Sequence, residues 1–390
     1  MRFLHTSDWH LGRQFHHVSL LEDQRHILGE ILAVLSRESV DAVLVSGDIY
    51  DRSVPSADAI TLLDEIIEVI SQQLEIPLII IAGNHDSGQR LSFAAQLLKH
   101  SRVYILGKLM ATSEPVILND DHGEVAFYGI PYADPAHVRD VYGCDVQDHQ
   151  EAMQFLTGQI KQANIKRRRS VVLAHCFIDG GDASDSERPL SVGGADKISS
   201  DLFSDFDYVA LGHLHRPQYK GEPHIRYSGS ILKYSFSEVN QKKSVTIVDM
   251  DETGHCKIAK IPLLPRRDMR IIEGCLEDIL ATAKADKNPE DYIMVRLLDT
   301  HALYEPMAKL REVYPNILQM EKPNLNKVGE RQLLKRENLK KGEMPMFLDF
   351  YQQMCGEEIS DEGATIIARM LDSIHQGELI ESKAKETSDK

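Results

Sequence analysis

Eight polar residues of this chain recur at one place in a repeated local pattern, just where a short apolar run stops. Asp8 and His10 follow "MRFLHTS", Asp48 follows "DAVLVSG", Asn84 and His85 follow "IPLIIIAG", His175 follows "SVVLA", and His213 and His215 follow "YVALG". The donors are imidazole, carboxylate and one amide oxygen, with no thiolate. Such a set suits Mn, Fe, Zn or Mg in higher coordination and argues against a closed structural zinc site. Seven ligands, Asp8, His10, Asp48, Asn84, His175, His213 and His215, are too many for one ion, whereas two ions about 3.5 to 4 Å apart sharing one carboxylate would use them all. Asp48 is the candidate bridge, because "SGD" sets it just beyond a tight glycine turn. A metal pair acidifies water and offsets charge on phosphoryl oxygens, so the chemistry expected is phosphoester hydrolysis. His85 is the candidate general acid for the leaving oxygen, oriented by the Asp86 carboxylate; its alternative role is that of another metal ligand.

The elements that must position these residues can be read from the same runs. Four to six apolar residues with little alternation are strands buried on both faces. Helical patterns lie between them: "LEDQRHILGEILAVLSRE", "PSADAITLLDEIIEVISQQ", whose start is marked by Ser53 and Pro55, and "RLSFAAQLLKHS". The expected fold is α/β, with polar residues at the carboxyl ends of strands, the edge where open α/β sheets bind ligands. An i, i+2 pair in extended chain projects to one side, which accounts for the spacing of Asp8 and His10. Farther on, "IRYSGSILKYSFSE" and "KSVTIVDMDETGHCKIAKIPL" read as hairpin strands, and a smaller β-α-β-α-β unit begins at Arg270.

The expected organisation is a large domain over 1–265, a small one over 266–325, a polar linker over 326–344, amphipathic helices over 345–378 and a disordered tail over 379–390. Helical spacing aligns Phe347, Phe350, Tyr351 and Met354 in one helix and Ile366, Ile367, Met370, Leu371 and Ile374 in the other. Helices this short are marginal alone, so they are expected to dock on a partner helix, the alternative being that they fold back on their own domain.

The 390 residues are 42% hydrophobic and 27% charged, ordinary for a folded protein of two or more domains. No run approaches the ~18 to 20 apolar residues of a membrane span, and the N-terminal stretch has no secretory pattern, so a cytoplasmic protein with no membrane association is expected. The five cysteines are scattered without a C-x-x-C pair, which supports neither a disulfide framework nor a zinc ribbon. The net charge of -16 means that overall charge cannot hold a nucleic acid; local basic patches, bound cations or a partner would have to.

At "DWH", "GDIYD", "GNHD", the lone His175 and "GHLH" the sequence resembles the calcineurin-like metallophosphoesterases. "HTSDWHLG", "GNHDS", "SDSERPLSVGG", "LGHLHRPQ" and "YSGSILKYSFSE" make it similar, more narrowly, to the SbcD family, the nuclease subunits of bacterial SbcCD complexes. The likeness covers about the first 265 residues, and the small unit by layout only. It implies a metallophosphoesterase β-sandwich flanked by helices, with a small α+β capping, DNA-binding domain and C-terminal helices. It also implies one metal held by Asp8, His10, Asp48 and His215, a second held by Asp48, Asn84, His175 and His213, and His85 as the catalytic histidine. The implied cofactors are two divalent ions, Mn2+ before Mg2+. The implied partners are DNA and an SbcC-like ATPase with a long coiled coil, in a heterotetramer containing a homodimer of this chain, for which the helix around Asp58 to Gln72 is the candidate contact. The activity implied is ATP-dependent exonuclease action on duplex DNA and endonuclease action on single strands and hairpins, in break processing, replication and recombination. Trp9 is expected to pack beneath the metal loop, with stacking on a DNA base as the alternative, and Arg52 and Arg90 are candidates for the DNA backbone. Two other readings compete: a phosphodiesterase or phosphatase acting on a small or protein substrate, and an architectural subunit with structural metals.

Overall fold

The computed structural model describes residues 1–110, 114–164, 166–188, 190, 196–301, 303–323, 343–355 and 358–388, with side chains left undescribed over 353–355 and 375–388. Most of the expected linker, and the last two residues of the tail, lie outside the described residues. The chain divides into two units, Met1–Asp268 and Met269–Lys390.

In the first unit the apolar runs become strands: β1 Arg2–Thr6, β2 Ala42–Ser46, β3 Leu78–Ile81, β4 Val103–Leu106, β5 Val116–Asp120, β6 Gly123–Ile130, β7 Arg169–His175, β8 Tyr208–Gly212, β9 Gln218–Tyr219, β10 Ile225–Tyr227, β11 Ser244–Met250 and β12 Cys256–Pro262. They form two six-stranded sheets, in the orders β12-β11-β1-β2-β3-β4 and β9-β10-β8-β7-β6-β5. Strands β1 to β4 run parallel, as do β6, β7, β8 and β10, so the carboxyl ends within each group share an edge. Alternation along the strands sorts the side chains between two layers. Phe3, Leu44, Ile79 and Ile81 of the first sheet pack with Phe127, Val171, Leu173 and Ala210 of the second in one core. Val172, Ala174, Val209 and Leu211 face the other way, onto Ala152, Met153, Leu156 and Ile160 of the helix His149–Ala163. The result is the helix-flanked β-sandwich expected for a metallophosphoesterase.

The helix Leu21–Glu38 occupies its expected span. The next helix, Ala57–Glu68, is capped by Ser56, which accepts from the Ala59 amide at 3.3 Å, and not by Ser53. The helix expected over "RLSFAAQLLKHS" is interrupted: Gly88–Leu91 and Ala95–Leu98 are separate turns, with Ala94 between them in the left-handed region at φ 57°. Phe93 and Leu97 of that stretch are exposed, so no core holds its apolar stripe in one continuous helix. "IRYSGSILKYSFSE" forms a strand only over Ile225–Tyr227, whereas the hairpin of β11 and β12 is present as expected.

The second unit contains the β-α-β-α-β order: strands Met269–Gly274, Tyr292–Leu297 and Ile317–Glu321, all parallel, with helices Leu276–Ala283 and Pro306–Val313 between them. Ile279, Val295, Leu310, Tyr314 and Ile317 fill its core. Two further helices follow, Glu343–Cys355 and Asp361–Ser388, the second continuing through the polar tail to residue 388. Among the described residues, no helix is long and apolar enough to cross a membrane.

Candidate metal centre

The strand ends of the two sheets meet closely enough that only glycine fits. A Cβ on Gly212, the last residue of β8, would lie 1.9 Å from the Ser46 carbonyl oxygen at the end of β2, and one on Gly47 would lie 2.4 Å from His175 Nδ1. Backbone hydrogen bonds then tie the first two loops together, Asp8 N–H to Gly47 O at 3.0 Å and His10 N–H to Asp48 O at 2.9 Å. Asp8, His10, Asp48 and His213 all have positive φ, 52°, 47°, 50° and 109°, although none is glycine. Such strain clusters at functional sites because the surrounding structure must hold it.

All eight residues singled out from the sequence converge here. Among the described residues, three groups of donors each bring their ligand atoms within 4.8 Å of one another: Asp8, His10 and His215; Asp8, Asp48 and His175; and His10, Asp51 and His85. Asp48 Oδ2 is 3.6 Å from His10 Nε2 and 3.5 Å from His175 Nε2, so one carboxylate faces both halves of the cluster. Asn84 Oδ1 lies 2.9 Å from His175 Nε2. His213 gives its backbone N–H to Asp8 Oδ1 at 3.0 Å, and its ring centroid is 5.5 Å from that of His175. His10 and His215 bring their Nε2 atoms within 3.0 Å, with His10 Nδ1 buried and without a hydrogen-bond partner. Facing buried imidazole nitrogens among carboxylates suit a shared cation, so these donors fit divalent metal ions.

Electrostatics point the same way. Burial and the neighbouring Asp48 charge raise the Asp8 carboxyl, against the pull of His175 and His215. Burial also opposes the Asp48 charge, but His175, His10 and His85 hold that carboxyl well below its usual range. His175, despite its burial, is raised to about 9 by Asp48 and Asp8, whereas burial drives His213 down to about 3.

His85 is buried at the rim of the cluster, its ring centroid 4.6 Å from that of His10. Its orientation corrects the expectation from sequence. Asp86 does not touch the imidazole: its carboxylate accepts from the backbone N–H groups of Gly83, Ile49 and Tyr50 at 2.9 to 3.1 Å and so fastens the second and third loops together. His85 Nδ1 instead donates to the Asp51 carbonyl at 2.8 Å, leaving Nε2 free. The side chain that follows histidine in "NHD" points to the other side of the turn. Trp9 is 1% exposed and gives its indole N–H to Thr6 Oγ1 at 3.0 Å, the packing role beneath the loop.

Arg52 is 72% exposed beside Asp51, and Arg90 is exposed in the turn Gly88–Leu91. Arg13, not singled out from the sequence, donates to Asp51 Oδ1 at 3.1 Å and to the Ser186 carbonyl at 3.1 Å. Also missed were Asp51, Ser186, Glu187, Glu238 and Lys243, which surround the histidines. Lys243 Nζ is buried and donates to Glu238 Oε2 at 2.5 Å and to the His215 carbonyl at 2.8 Å. Burial opposes the Glu238 charge, but Lys243 and His215 hold its carboxyl well below the usual range. Asp51, Ser186, Glu187 and Glu238 lie inside stretches that carried the resemblance, "GDIYD", "SDSERPLSVGG" and "YSGSILKYSFSE", but nothing local gives them a role, and Lys243 lies outside those stretches altogether.

The calcineurin-like phosphoesterase family model matches residues 1–217, and a model described as the type 5 capsule protein repressor C-terminal domain matches 265–354. The chain is 34% identical over 375 residues to the SbcD subunit of nuclease SbcCD from Staphylococcus epidermidis, covering 96% of this chain and 99% of that protein. Solved structures give fainter matches. A protein of Thermus thermophilus is 12% identical with a TM-score of 0.37, covering 66% of this chain and 98% of that one. A dimetal phosphatase from Danio rerio is 12% identical with a TM-score of 0.39, covering 64% and 92%. The likeness to the staphylococcal protein runs the length of both sequences and spans both units, and the chain belongs to the SbcD family of calcineurin-like phosphoesterases.

Proposed function

We propose that the cluster holds two divalent metal ions and hydrolyses phosphodiester bonds of DNA, as the nuclease subunit of an SbcCD-type complex. Asp8, His10, Asp48 and His215 would hold one ion, and Asp48, Asn84, His175 and His213 the other. The observation that carries this reading is Asp48 Oδ2, which lies within 3.6 Å of His10 Nε2 and 3.5 Å of His175 Nε2 and so can serve both. Bound there, divalent ions would neutralise phosphoryl charge and make water acidic enough to attack at neutral pH.

The protein's own groups do the rest. The Nδ1–H bond of His85 to the Asp51 carbonyl fixes the ring so that Nε2 can carry a proton to the leaving oxygen. The exposed guanidinium groups of Arg52 and Arg90 are suited to backbone phosphates, contacts that place a strand without reading its sequence. Manganese is the favoured ion and magnesium the second choice. The expected reactions are ATP-dependent exonuclease cleavage of duplex DNA and endonuclease cleavage of single strands and hairpins. Residues 266–325 would act as a DNA-facing cap and the helices of 345–378 as the dock for the SbcC-like ATPase. Two copies of this chain would pair through the helix around Asp58 to Gln72.

The test is an assay of the purified chain with Mn2+ or Mg2+ on linear and hairpin DNA, beside bis-p-nitrophenyl phosphate, with and without the ATPase. Metal-dependent DNA cleavage is expected. Turnover of the small diester with DNA left intact even alongside the ATPase would replace this reading with a small-substrate phosphodiesterase.

A further inference from the structure

We propose that Ser186 and Glu238 are positioning residues for His215, linked to it by a buried relay that fixes which ring nitrogen faces the metal centre. The inference rests on the reading of His215 as a metal ligand. His215 Nδ1 lies 2.6 Å from Ser186 Oγ and 3.2 Å from Glu238 Oε1. Ser186 Oγ in turn donates to Glu238 Oε1. The order imidazole N–H to hydroxyl to carboxylate satisfies every donor along this line. It leaves Nε2 without a proton and directed at His10 Nε2, 3.0 Å away.

The carboxylate end is fixed as well. Glu238 is completely buried and its Oε2 accepts from Lys243 Nζ at 2.5 Å. The same ammonium binds the His215 carbonyl at 2.8 Å, and Glu187 Oε1 accepts from the His215 backbone N–H at 2.6 Å. Ring, amide and carbonyl of one histidine are therefore each held by a charged or hydroxyl side chain. The other histidines lack this arrangement: His175 Nδ1 is set by the Ser46 carbonyl and His85 Nδ1 by that of Asp51. Ser186 and Glu187, two of the supports, belong to the segment after β7, so that segment completes one half of the site. Outer partners of this kind, which orient a ligating imidazole and raise its basicity, typically change metal affinity about 10- to 100-fold.

The experiment is Mn2+ titration of the metal-free full chain by calorimetry and by electron paramagnetic resonance, comparing wild type with Ser186→Ala, Ser186→Thr and Glu238→Gln. Ser186→Ala is expected to weaken one of two Mn2+ sites about 10-fold or more and leave the other within about twofold, with Ser186→Thr restoring it through its hydroxyl. Glu238→Gln should weaken the same site; if removing the buried charge unfolds the protein, the serine pair still decides. Wild-type affinity at both sites in Ser186→Ala would overturn the relay while leaving the two-metal reading intact. A wild-type chain that binds no Mn2+ would overturn that reading, and the relay with it.

Discussion

Replacing His85 by alanine should remove the proton donor and leave the proposed metal ligands in place, because its backbone N–H, not its ring, makes the hydrogen bond to Asp48. A fall in turnover of about 10²- to 10⁴-fold is expected, with Mn2+ stoichiometry unchanged in calorimetry. A loss of one ion in that variant would instead make His85 a ligand. His5 gives a separate pH prediction away from the metals. It is buried against Tyr208, its Nδ1 3.0 Å from the phenol oxygen, and burial lowers its pKa to about 3, with the Leu211 backbone only partly offsetting this. Because the folded value lies below the ordinary 6.5, the unfolded chain takes up the proton first. Stability present above pH 6.5 is therefore lost as the pH falls toward 3, by roughly 2 kcal/mol at pH 5. Urea midpoints at pH 7 and pH 5 should differ less in His5→Gln than in wild type. Equal pH dependence in the two proteins would show that His5 is not the titrating group.

At the scale of elements, the approach of β8 to β2 is the feature most open to attack. Gly212→Ala would put a methyl group 1.9 Å from the Ser46 carbonyl, contact with backbone that no rotamer can relieve. A loss of at least 1 to 3 kcal/mol is expected, on the order of an overpacked core, seen as a lowered thermal midpoint, and the ends that carry His213 and Asp48 should separate with loss of metal affinity. An alanine variant as stable as wild type would show that the sheets can yield there. This closeness also explains what could be read from the sequence. Strands such as "AVLVS" and "VVLAH" announce themselves because burial on both faces keeps them almost wholly apolar up to the ligand that follows or ends them. Ser56 as cap, the break at Ala94 and the course of "SGSILKYSFSE" depend on contacts made only after folding. In the last case a Cβ on Gly229 would lie 2.7 Å from the His215 carbonyl. Asp86 was legible as a site residue but not in its role, since neighbours in sequence face apart where the turn places Asp86 under three amide groups. Glu238, although inside "YSGSILKYSFSE", and Lys243 were not legible in their role, which lies in burial and in pairing with each other and with the distant His215.

For the whole molecule, a chain of net charge -16 needs cations at its centre and basic surface from elsewhere if it is to cut DNA as proposed. The C-terminal helices carry the side chains through which a partner could supply it: Phe350, Ile366, Met370 and Ile374 are each more than half exposed. Serine at Phe350 and Met370 together should abolish co-purification with the ATPase and leave metal-dependent cleavage of bis-p-nitrophenyl phosphate unchanged. Retained association would place the docking surface elsewhere. The central claim is that one carboxylate serves two ions, and it is tested most directly by counting Mn2+ bound per chain in wild type and in Asp48→Asn. Two ions in the wild type, with both affinities weakened together in Asp48→Asn and DNA cleavage lost, is the predicted result. A single ion in the wild type, or two in the variant at wild-type affinity, would contradict it.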